Sequence, residues 1–509
     1  MATPDLIPVA NETMTLSELV AGLQECQVIG AETTQVHGVQ FDSRLVGPGS
    51  LFVALRGGYV DGHDFLSNAI GNGASAIVVD HEVVASVPQV VVPDSRIALA
   101  TLAARFYKNP SDGLRVIGVT GTDGKTTTSY ILDHILRSVG RVTGMIGTVS
   151  LRIGDITVDH ESRQTTPESA DIQRLLRAMA NGGVSDVILE ATSHGLDLHR
   201  LDHTHFNVGT VTNITQEHLE HHKTRAAYRR AKAILFERVS NAGGVAVVNL
   251  DDEGARSVLP YCDECRTVIS YSSIDPAATI FADMVTSDLS GTRGAVRYDN
   301  VTHPLAIPLV GAFNVSNTLA AIGSAIASGV TYDDAVVAVA TTPSIPGRMS
   351  SVDAGQPFGL IIDYAHTPES LEKVLKLLRS LRPEGKLIVV FGSAGERDTI
   401  KRPIQGRVAA KLADISIITN EDPRFEDPES IIREISDGAV AAGGIKGETF
   451  HCVTDRRQAI GLALDLATAR DTILLAGKGH ERSILWNGIK HPWDEAAIAR
   501  DELARRGWA

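Results

Sequence analysis

The sequence predicts an α/β protein of three domains: a small N-terminal α/β domain, a central P-loop-type domain with a mainly parallel sheet, and a C-terminal Rossmann-like open sheet. Three observations lead to this prediction. The 509 residues exceed what one hydrophobic core organises, and at about 150 residues per domain they suggest three. Short apolar runs alternate with helical patterns along the chain, which is typical of βαβ units. With 43% apolar and 21% charged residues, the composition is that of a globular protein.

The N-terminal domain is assigned to residues 1–111. Apolar runs within Val39–Arg44, Ser50–Leu55 and Ala76–Val79 alternate with glycine-rich turns, which predicts a small α/β unit. The polar segment Lys108–Gly113 contains Pro and Gly and interrupts both periodicities, so it predicts the linker to the next domain.

The central domain is assigned to residues 112–342. It opens with a predicted strand at Arg115–Thr120, a glycine-rich turn and a helix from Thr126 to about Val139. Helical patterns separate the later strands, so the sheet is expected to be mainly parallel. Those strands are predicted at Val184–Leu189, Val208–Thr212 and Gly244–Asn249.

The C-terminal domain is assigned to residues 343–509, after a second Pro/Gly break at Thr341–Gly347. In an open α/β sheet of this kind, ligands lie beyond the carboxyl ends of the strands. Its strands are predicted at Leu360–Asp363, Leu387–Phe391, Ile415–Thr419 and Thr472–Leu475.

Charge and cysteine content exclude several classes of protein. With 47 Lys and Arg against 61 Asp and Glu, the net charge of −14 argues against binding a nucleic-acid polymer or an anionic membrane. Four cysteines do not make a disulfide framework, and Cys262 and Cys265 lack the second pair that structural zinc needs. No signal segment or membrane span is evident, so a cytoplasmic protein is expected.

The clearest local motif is Thr120–Thr127, read TGTDGKTT, between a predicted strand and a predicted helix. Glycines let backbone N–H groups approach phosphate oxygens, Lys125 reaches the terminal phosphates and Thr126 can hold Mg²⁺. The strict P-loop pattern requires Gly at position 119, where this chain has Val119. The motif therefore predicts a phosphate-binding loop that belongs to a narrower class than the general P-loop.

Acidic and basic residues follow in the same domain. Glu190 ends an apolar strand, where a Mg²⁺ ligand belongs. His218 and His222 are four apart, but neither zinc-protease pattern is present, and His221 and His222 are expected at the surface. From periodicity alone, Lys232 is expected to extend its ammonium group from an apolar helix face into solvent.

In the third domain, polar segments follow four successive predicted strands. Because these strand ends share one edge of the sheet, the pattern favours a charged small-molecule pocket there. The segments are Asp363–His366, Phe391–Asp398, Thr419–Arg424 and Ala476–Glu481.

Taken together, these motifs resemble the Mur ligase family of ATP-dependent amide-bond-forming enzymes, and the similarity runs from about Phe41 to Glu481. The segments that carry it are TGTDGKTT, EATSHGL from Glu190, EHLEHH from Glu217 and the dipeptide Ala231-Lys232. The resemblance implies cytoplasmic peptidoglycan precursor synthesis with ATP and Mg²⁺.

The resemblance also implies roles for individual residues at the nucleotide. Metal ligands would be Thr126, Glu190, His218 for a second Mg²⁺, and Lys232 as N6-carboxylysine, which replaces the solvent-exposed interpretation of that lysine. ATP contacts would be Gly121, Thr122, Asp123, Gly124, Lys125, Thr126, Thr127, Asn314, Asn317, Arg348 and Asp363.

Two further sets are implied for the other substrates. The UDP-MurNAc-dipeptide would contact Phe41, Ser43, Gly58, Tyr59, Val60, Thr165, Thr166, Thr192 and Arg200. The incoming amino acid would contact Arg397, Glu421, Asp422, Pro423, Arg424, Gly477 and Glu481.

The implied reaction adds a diamino acid to UDP-MurNAc-L-Ala-D-Glu through an acyl phosphate. The diamino acid expected first is meso-diaminopimelate. The sequence Glu421–Arg424 reads EDPR where enzymes of the family that add meso-diaminopimelate typically have DNPR, so L-lysine and L-ornithine stay open as the amino acid. More distant alternatives are a folylpolyglutamate synthase-like ligase and a P-loop NTPase that switches a binding surface. A monomer with small-molecule substrates and no macromolecular partner is expected.

Overall fold

A computed structural model describes residues 12–57, 60–159, 164–215, 217–288 and 291–508 of the chain. The chain divides into two compact units. The first comprises Met1–Val285, Gly294–Leu305 and Phe313–Thr341, and the second comprises Thr286–Arg293, Ala306–Ala312 and Thr342–Ala509. Among the described residues, no helix combines the length and apolar character needed to cross a bilayer.

The first unit begins with a small α/β layer. Its sheet is parallel apart from one antiparallel edge, with the strand order Gln27–Ile29, Gln89–Val91, Ala74–Val79, Ser50–Val53, Gly38–Gln40. A two-stranded sheet pairs Met14–Thr15 with Gln35–Val36. The helices are Leu16–Val20, Leu66–Gly71 and Ser95–Phe106, with 3₁₀ turns at Ser43–Leu45, Gly62–Phe65 and Pro110–Gly113.

The second sheet of this unit has the predicted strand Arg115–Thr120 at its centre. Val116, Ile117 and Val119 are fully buried, as expected for a parallel strand covered on both faces. Parallel neighbours flank it, and an antiparallel segment closes one edge. The strand order is Ile156–Asp159, Ser150–Ile153, Thr143–Ile146, Asp186–Glu190, Arg115–Thr120, Val208–Val211, Val245–Asn249, Thr267–Ser272, Ile280–Asp288, Gly291–Tyr298, Val301–Ile307.

Helices pack on this sheet through buried apolar side chains. Helix Arg225–Asn241, for example, starts where the Thr224 side chain accepts from the Ala227 N–H, and it buries Leu235 and Phe236. The other helices are Lys125–Ser138, Ser169–Asn181, Ser193–Asp197, Leu219–His222, Glu253–Arg256, Ala312–Ala327 and Tyr332–Val339, with a 3₁₀ turn at Leu259–Tyr261.

The second unit contains an open sheet with a separate apolar core on each face. Its strand order is Ser350–Ser351, Gly359–Asp363, Thr472–Ala476, Leu387–Phe391, Ile415–Thr419, Phe450–Val453, parallel except at the first pair. Its helices are Pro368–Leu381, Lys401–Leu412, Pro428–Ala441, Arg456–Leu466 and Glu495–Arg505, and a hairpin pairs Ser483–Trp486 with Ile489–Pro492.

The predicted α/β class with mostly parallel sheets is confirmed. Strands Leu387–Phe391 and Ile415–Thr419 have the predicted bounds, and the predicted strand at Val184–Leu189 is observed at Asp186–Glu190. The helix predicted from Thr126 begins at Lys125, after Gly124 in the left-handed conformation. The four cysteines are free thiols, and Cys262 is buried.

Candidate active site

The segment Gly121–Gly124 forms a tight loop between strand Arg115–Thr120 and helix Lys125–Ser138. Both glycines have positive φ, +154° and +86°. A Cβ atom on Gly121 would lie 1.8 Å from Thr212 Oγ1, and one on Gly124 would lie 2.2 Å from Asn317 Oδ1. The loop therefore requires glycine at both positions, because the side chains of Thr212 and Asn317 leave no room for a Cβ there.

The neighbouring strand end holds this loop in place. Asn213 O accepts from the Thr122 N–H at 2.7 Å, and Asn213 Oδ1 accepts from the Asp123 N–H at 3.0 Å. Thr212 Oγ1 donates to Asp123 O at 2.6 Å. Sequence reasoning did not single out Thr212 or Asn213, because their contacts with the loop join residues about ninety positions apart.

Two lysines converge on one carbonyl of the loop. Lys125 Nζ donates to Gly121 O at 2.8 Å and to Thr122 O at 2.8 Å. Lys232 Nζ donates to the same Gly121 O at 2.7 Å. The solvent-exposed interpretation of Lys232 is therefore wrong, since Lys232 is 1% exposed and faces the loop.

The surroundings of Lys232 favour a neutral amine. Burial first, and the nearby Lys125 ammonium second, lower the pKa of Lys232 well below its usual value. Its Nζ also lies 4.8 Å from the centre of the Tyr228 ring, whose hydroxyl contacts Thr122 Oγ1 at 3.0 Å. A neutral lysine amine is a nucleophile, which is the state that reaction with CO₂ requires.

Glu190 lies at the end of strand Asp186–Glu190 and is 1% exposed. Its Oε2 accepts from Thr126 Oγ1 at 3.1 Å and from Thr148 Oγ1 at 2.9 Å, and its Oε1 accepts from the Thr148 N–H at 3.1 Å. A Cβ on Gly147 would lie 2.4 Å from Glu190 Oε1. The structure thus brings the predicted carboxylate next to the predicted phosphate loop, through Thr126.

A chain of hydroxyl groups continues from Glu190 to the Thr165-Thr166 segment. Thr148 Oγ1 lies 3.0 Å from Thr165 Oγ1. Thr166 Oγ1 donates to Glu190 O at 2.7 Å and lies 2.8 Å from Thr192 Oγ1. The predicted contacts for the muramoyl substrate and the predicted metal ligand therefore lie in one connected network.

Arg200 is placed behind this network and is 8% exposed. Its guanidinium donates to Thr166 O at 3.0 Å and pairs with Glu168, which in turn pairs with Arg96 of the N-terminal layer. Arg200 therefore holds the Thr165-Thr166 segment in place through a backbone carbonyl.

Histidines cluster around His218, which has a left-handed φ of +56°. The ring of His194, four residues beyond Glu190, lies 4.6 Å from that of His218 and 4.4 Å from that of His221. Burial, with the neighbouring histidines, lowers the pKa of His194 to about 4. His222 is 6% exposed, so the prediction that it is a surface residue is wrong. His221 Nε2 contacts Asp197 at 2.7 Å.

The N-terminal candidates lie apart from these residues in the sequence. Phe41 packs against the N-terminal core, and Ser43 is buried, with its carbonyl accepting from Asn72 Nδ2 at 2.9 Å. Val60 is 56% exposed. Gly58 and Tyr59 lie outside the described residues.

Asn314 and Asn317 lie on helix Ala312–Ala327 and are buried. Asn317 Nδ2 donates to Asn314 Oδ1 at 3.2 Å. Because Asn317 Oδ1 is the atom that a Cβ on Gly124 would meet, this amide packs directly against the loop. Thr127, also a candidate, is buried in the first turn of helix Lys125–Ser138.

In the second unit, Asp363 ends strand Gly359–Asp363. Its carboxylate accepts from the Met349 N–H at 2.8 Å and from the Ala365 N–H at 2.9 Å. The Arg348 guanidinium lies 5.1 Å from the centre of the Tyr364 ring. The two predicted nucleotide contacts of this unit are thus side by side at one strand end.

A buried charged group joins the loops that follow two other strands. Lys478 is fully buried, and its Nζ donates to Asp422 Oδ1 at 3.0 Å and pairs with Glu481. Although burial opposes the charge, those two carboxylates hold the pKa of Lys478 above its usual value. Burial raises the pKa of Glu481. Sequence reasoning included Asp422 and Glu481 but missed Lys478, which lies between them.

The remaining amino-acid candidates lie around this group. Glu421 is 6% exposed, and its Oε2 is the atom nearest to a Cβ built on Gly477, at 3.1 Å. Arg424, with Pro423 before it, has a left-handed φ of +57° and donates its N–H to Leu485 O at 2.9 Å. Arg397 is exposed in the loop after strand Leu387–Phe391.

The residues present suit a nucleotide and Mg²⁺. Gly121 and Gly124 leave no room for a side chain, Lys125 lies at the start of the helix that follows them, and Thr126 and Glu190 offer the oxygen ligands that Mg²⁺ takes. Lys232 bonds the loop at Gly121 O, and His218 packs against His194, which follows Glu190 by four residues.

Comparisons with known proteins agree with this arrangement. Three families match: the Mur ligase family catalytic domain at residues 35–107, the Mur ligase middle domain at 119–325, and the Mur ligase glutamate ligase domain at 347–479. Each of these three domains is mixed α/β with mostly parallel strands.

Two relatives cover nearly the whole chain. A UDP-N-acetylmuramyl-tripeptide synthetase of Roseiflexus sp. (strain RS-1) is 43% identical over 514 residues, covering 97% of this chain and 100% of that protein. A UDP-N-acetylmuramoyl-L-alanyl-D-glutamate--2,6-diaminopimelate ligase of Bacillus cereus is 37% identical over 500 residues, covering 97% and 99%.

Solved structures show the same fold. A structure of a UDP-N-acetylmuramoyl-L-alanyl-D-glutamate--2,6-diaminopimelate ligase aligns with a TM-score of 0.68 at 30% identity, over 98% of this chain and 100% of that one. MurF ligase from Thermotoga maritima, in complex with ADP, aligns with a TM-score of 0.61 at 20% identity, over 92% and 96%. The three domain matches and the relatives similar along 97% of its length show that the chain belongs to the Mur ligase family of ATP-dependent ligases.

Proposed function

We propose that this ligase joins a diamino acid, meso-diaminopimelate, to UDP-MurNAc-L-Ala-D-Glu in cytoplasmic peptidoglycan precursor synthesis. The observation that carries the proposal is the connected set Gly121–Thr126, Glu190 and Thr165-Thr166, which links a phosphate loop to a second polar segment through direct hydrogen bonds. Relatives at 37% identity whose names specify this reaction support the choice of substrates.

The first step is attack of the dipeptide's terminal carboxylate on the γ-phosphate of ATP, which gives an acyl phosphate and ADP. The N–H groups in the first turn of helix Lys125–Ser138 and the Lys125 ammonium neutralise phosphate charge, largely by positioning and electrostatics. Asn314 and Asn317 border the loop, and Arg348 and Asp363 are assigned to the nucleotide as well. The amine of the diamino acid then attacks the carbonyl carbon, and phosphate leaves.

Metal binding is assigned to Thr126, Glu190, His218 and carbamylated Lys232. Bound Mg²⁺ supplies Lewis-acid neutralisation of the phosphate charge. The neutral amine of Lys232 adds to CO₂, forming an N–C bond and releasing a proton, and the resulting carboxylate is an oxygen ligand. The lowered pKa of Lys232 and its position beside Gly121 support this assignment.

The other two substrates are assigned to two separate sets of residues. The UDP-MurNAc-dipeptide is assigned to Phe41, Ser43, Gly58, Tyr59, Val60, Thr165, Thr166, Thr192 and Arg200, and the amino acid to Arg397, Glu421, Asp422, Pro423, Arg424, Gly477 and Glu481. The domain spans 1–111, 112–342 and 343–509 and the monomeric state are part of the same proposal.

Phosphate release with each substrate omitted in turn tests the proposal. A ligase of this kind releases phosphate only when ATP, UDP-MurNAc-L-Ala-D-Glu and the amino acid are all present. Turnover of ATP alone would instead support a hydrolytic switch. A competition among meso-diaminopimelate, L-lysine and L-ornithine, scored by product mass, identifies the amino acid, and predominance of L-lysine or L-ornithine would overturn the choice of meso-diaminopimelate.

A further inference from the structure

Behind the amino-acid candidates, the second unit contains a fully buried ion pair. Arg456 begins helix Arg456–Leu466, and Glu495 begins helix Glu495–Arg505. Both side chains are 0% exposed, with Arg456 Nη2 2.6 Å from Glu495 Oε1 and Arg456 Nε 3.0 Å from Glu495 Oε2. Trp493 Nε1 donates to Glu495 Oε2 at 2.6 Å. The carboxylate therefore compensates the buried guanidinium charge and fixes its plane.

The other donors of the guanidinium are directed at two strand ends. Arg456 Nη1 donates to Asn420 O at 3.2 Å, and Nη2 donates to Ala476 O at 2.8 Å. Asn420 directly follows strand Ile415–Thr419, and Ala476 is the last residue of strand Thr472–Ala476. The next residues along the chain are Glu421 and Gly477, so each carbonyl immediately precedes one of the two amino-acid loops.

These two strands are not neighbours in the sheet. Strand Leu387–Phe391 lies between them and pairs with both. No described ladder hydrogen bond therefore joins the two strand ends directly, whereas one guanidinium bonds both of them. The planar fork of arginine has a fixed spacing between its donors, which a lysine ammonium does not reproduce.

The two loops also meet at their first residues. Glu421 Oε2 lies 3.1 Å from the position of a Cβ on Gly477, and Lys478 Nζ in one loop bonds Asp422 in the other. A shift of either strand end changes these contacts directly. Because Glu421 directly follows Asn420 and Gly477 directly follows Ala476, the separation of the two carbonyls bound by Arg456 limits the separation of the two loops.

We propose that Arg456, oriented by Glu495, is a positioning residue that sets the spacing of the Glu421 and Gly477 loops and thereby the affinity for the incoming amino acid. This inference rests on the proposed function, because it takes those two loops as the amino-acid site. The side chain of Arg456 itself is fully buried.

The chain offers a matched control in Arg506. Its guanidinium also ties the same two helices, through Glu502, Asp465 and Gly461 O, but it bonds neither Asn420 nor Ala476. Arg506→Lys therefore removes a comparable fork between the helices without releasing a strand end. If Arg456→Lys and Arg506→Lys raised the KM for the amino acid equally, the cause would be general destabilisation of the unit and not the spacing of the two strand ends.

The test is steady-state ligation with each of the three substrates varied in turn. For Arg456→Lys we expect the KM for the amino acid to rise about 10- to 100-fold while the KM values for ATP and the UDP-linked dipeptide stay within about twofold of wild type. For Arg506→Lys we expect all three KM values unchanged. Thermal unfolding of each variant accompanies the kinetics, so that loss of folded protein is distinguished from loss of affinity.

Two further variants keep the test decisive. Arg456→Met with Glu495→Met removes both buried charges together and should give the same selective rise in KM, since no unpaired charge is left behind. Glu495→Gln keeps the guanidinium but weakens its anchor, and should give a smaller rise in the same parameter; this variant decides if the others do not fold. An unchanged amino-acid KM, or an equal rise in all three KM values, overturns the inference. A wild-type enzyme that forms no ligation product instead overturns the proposed function.

Discussion

Lys125 and Lys232 donate hydrogen bonds to the same acceptor, the carbonyl oxygen of Gly121, at 2.8 and 2.7 Å. Two ammonium groups at one carbonyl repel each other, and Lys232 is the more buried of the two. The arrangement therefore disfavours the charged form of Lys232, which has the lowered pKa. The two lysines therefore have different roles in the proposed mechanism. Lys125 is a cation that neutralises phosphate charge, and Lys232 is an amine that reacts with CO₂ to give a carboxylate.

Replacing Lys232 tests this difference. We expect Lys232→Ala to lower kcat by about 100-fold, because it removes a group assigned to the metal. Wild-type activity should fall when CO₂ and bicarbonate are removed from the assay and return when bicarbonate is added. Lys376→Ala, at an exposed lysine paired with Glu372, is the control and should leave both properties unchanged. Full turnover by Lys232→Ala would contradict the carbamate assignment.

The Gly121 position is expected to tolerate no side chain. Gly121→Ala places a methyl group 1.8 Å from Thr212 Oγ1, so the loop must move. We expect a loss of about 1–3 kcal/mol in unfolding free energy together with weakened ATP binding. Gly113→Ala, before the same strand with nothing within 4 Å of the added atom, serves as the matched control. Calorimetric titration with ATP and denaturant unfolding measure the two effects, and ATP affinity equal to wild type would argue against the loop as a phosphate site.

The carboxylate of Asp422 accepts two hydrogen bonds through Oδ1, from Lys478 Nζ at 3.0 Å and from the Leu485 N–H at 2.9 Å. Because those donors also suit an amide oxygen, we expect Asp422→Asn to change the ratio of kcat/KM for meso-diaminopimelate over L-lysine by less than about tenfold.

Arg424→Ala should lower the same ratio by more than about tenfold, since it removes the guanidinium assigned to the second carboxylate. The measurement is the competition assay with both amino acids present. A large change in the ratio for Asp422→Asn with none for Arg424→Ala would reverse the assignment.

His480 predicts a pH dependence of stability. Burial, with Arg348 next in effect, lowers the pKa of His480 from 6.5 to about 3. As the pH falls below about 6.5, the unfolded chain binds a proton at this histidine and the folded chain does not. The contribution of neutral His480 to the unfolding free energy is therefore fully present above that pH and is lost progressively as the pH falls toward about 3.

His480→Gln removes this titration. Between about pH 7.5 and pH 5, we expect the unfolding free energy of the variant to fall by about 2 kcal/mol less than that of wild type. Denaturant unfolding at the two pH values measures the difference. His491→Gln, at an exposed histidine, is the control and should follow the wild-type pH dependence. Identical pH dependence of His480→Gln and wild type would contradict the neutral, buried state of His480.

The sequence by itself determined the fold class, the positions of several buried strands and the loops in which polar residues follow those strands. Buried parallel strands such as Leu387–Phe391 are continuous apolar runs, and the residues after them are punctuated by Gly and Pro, so local composition is sufficient. It also placed Glu190 at a strand end, since strand boundaries are local features.

Only the tertiary structure decided which of these groups meet. Lys232 bonds Gly121 across 111 positions, and Arg456 bonds Asn420 across 36 and Ala476 across 20. His222 looked like a surface residue in the sequence, but packing of its segment against His194 and Tyr228 buries it. Periodicity reports only which face of an element is apolar, whereas burial and pKa depend on which other elements cover that face, and long-range packing alone sets that.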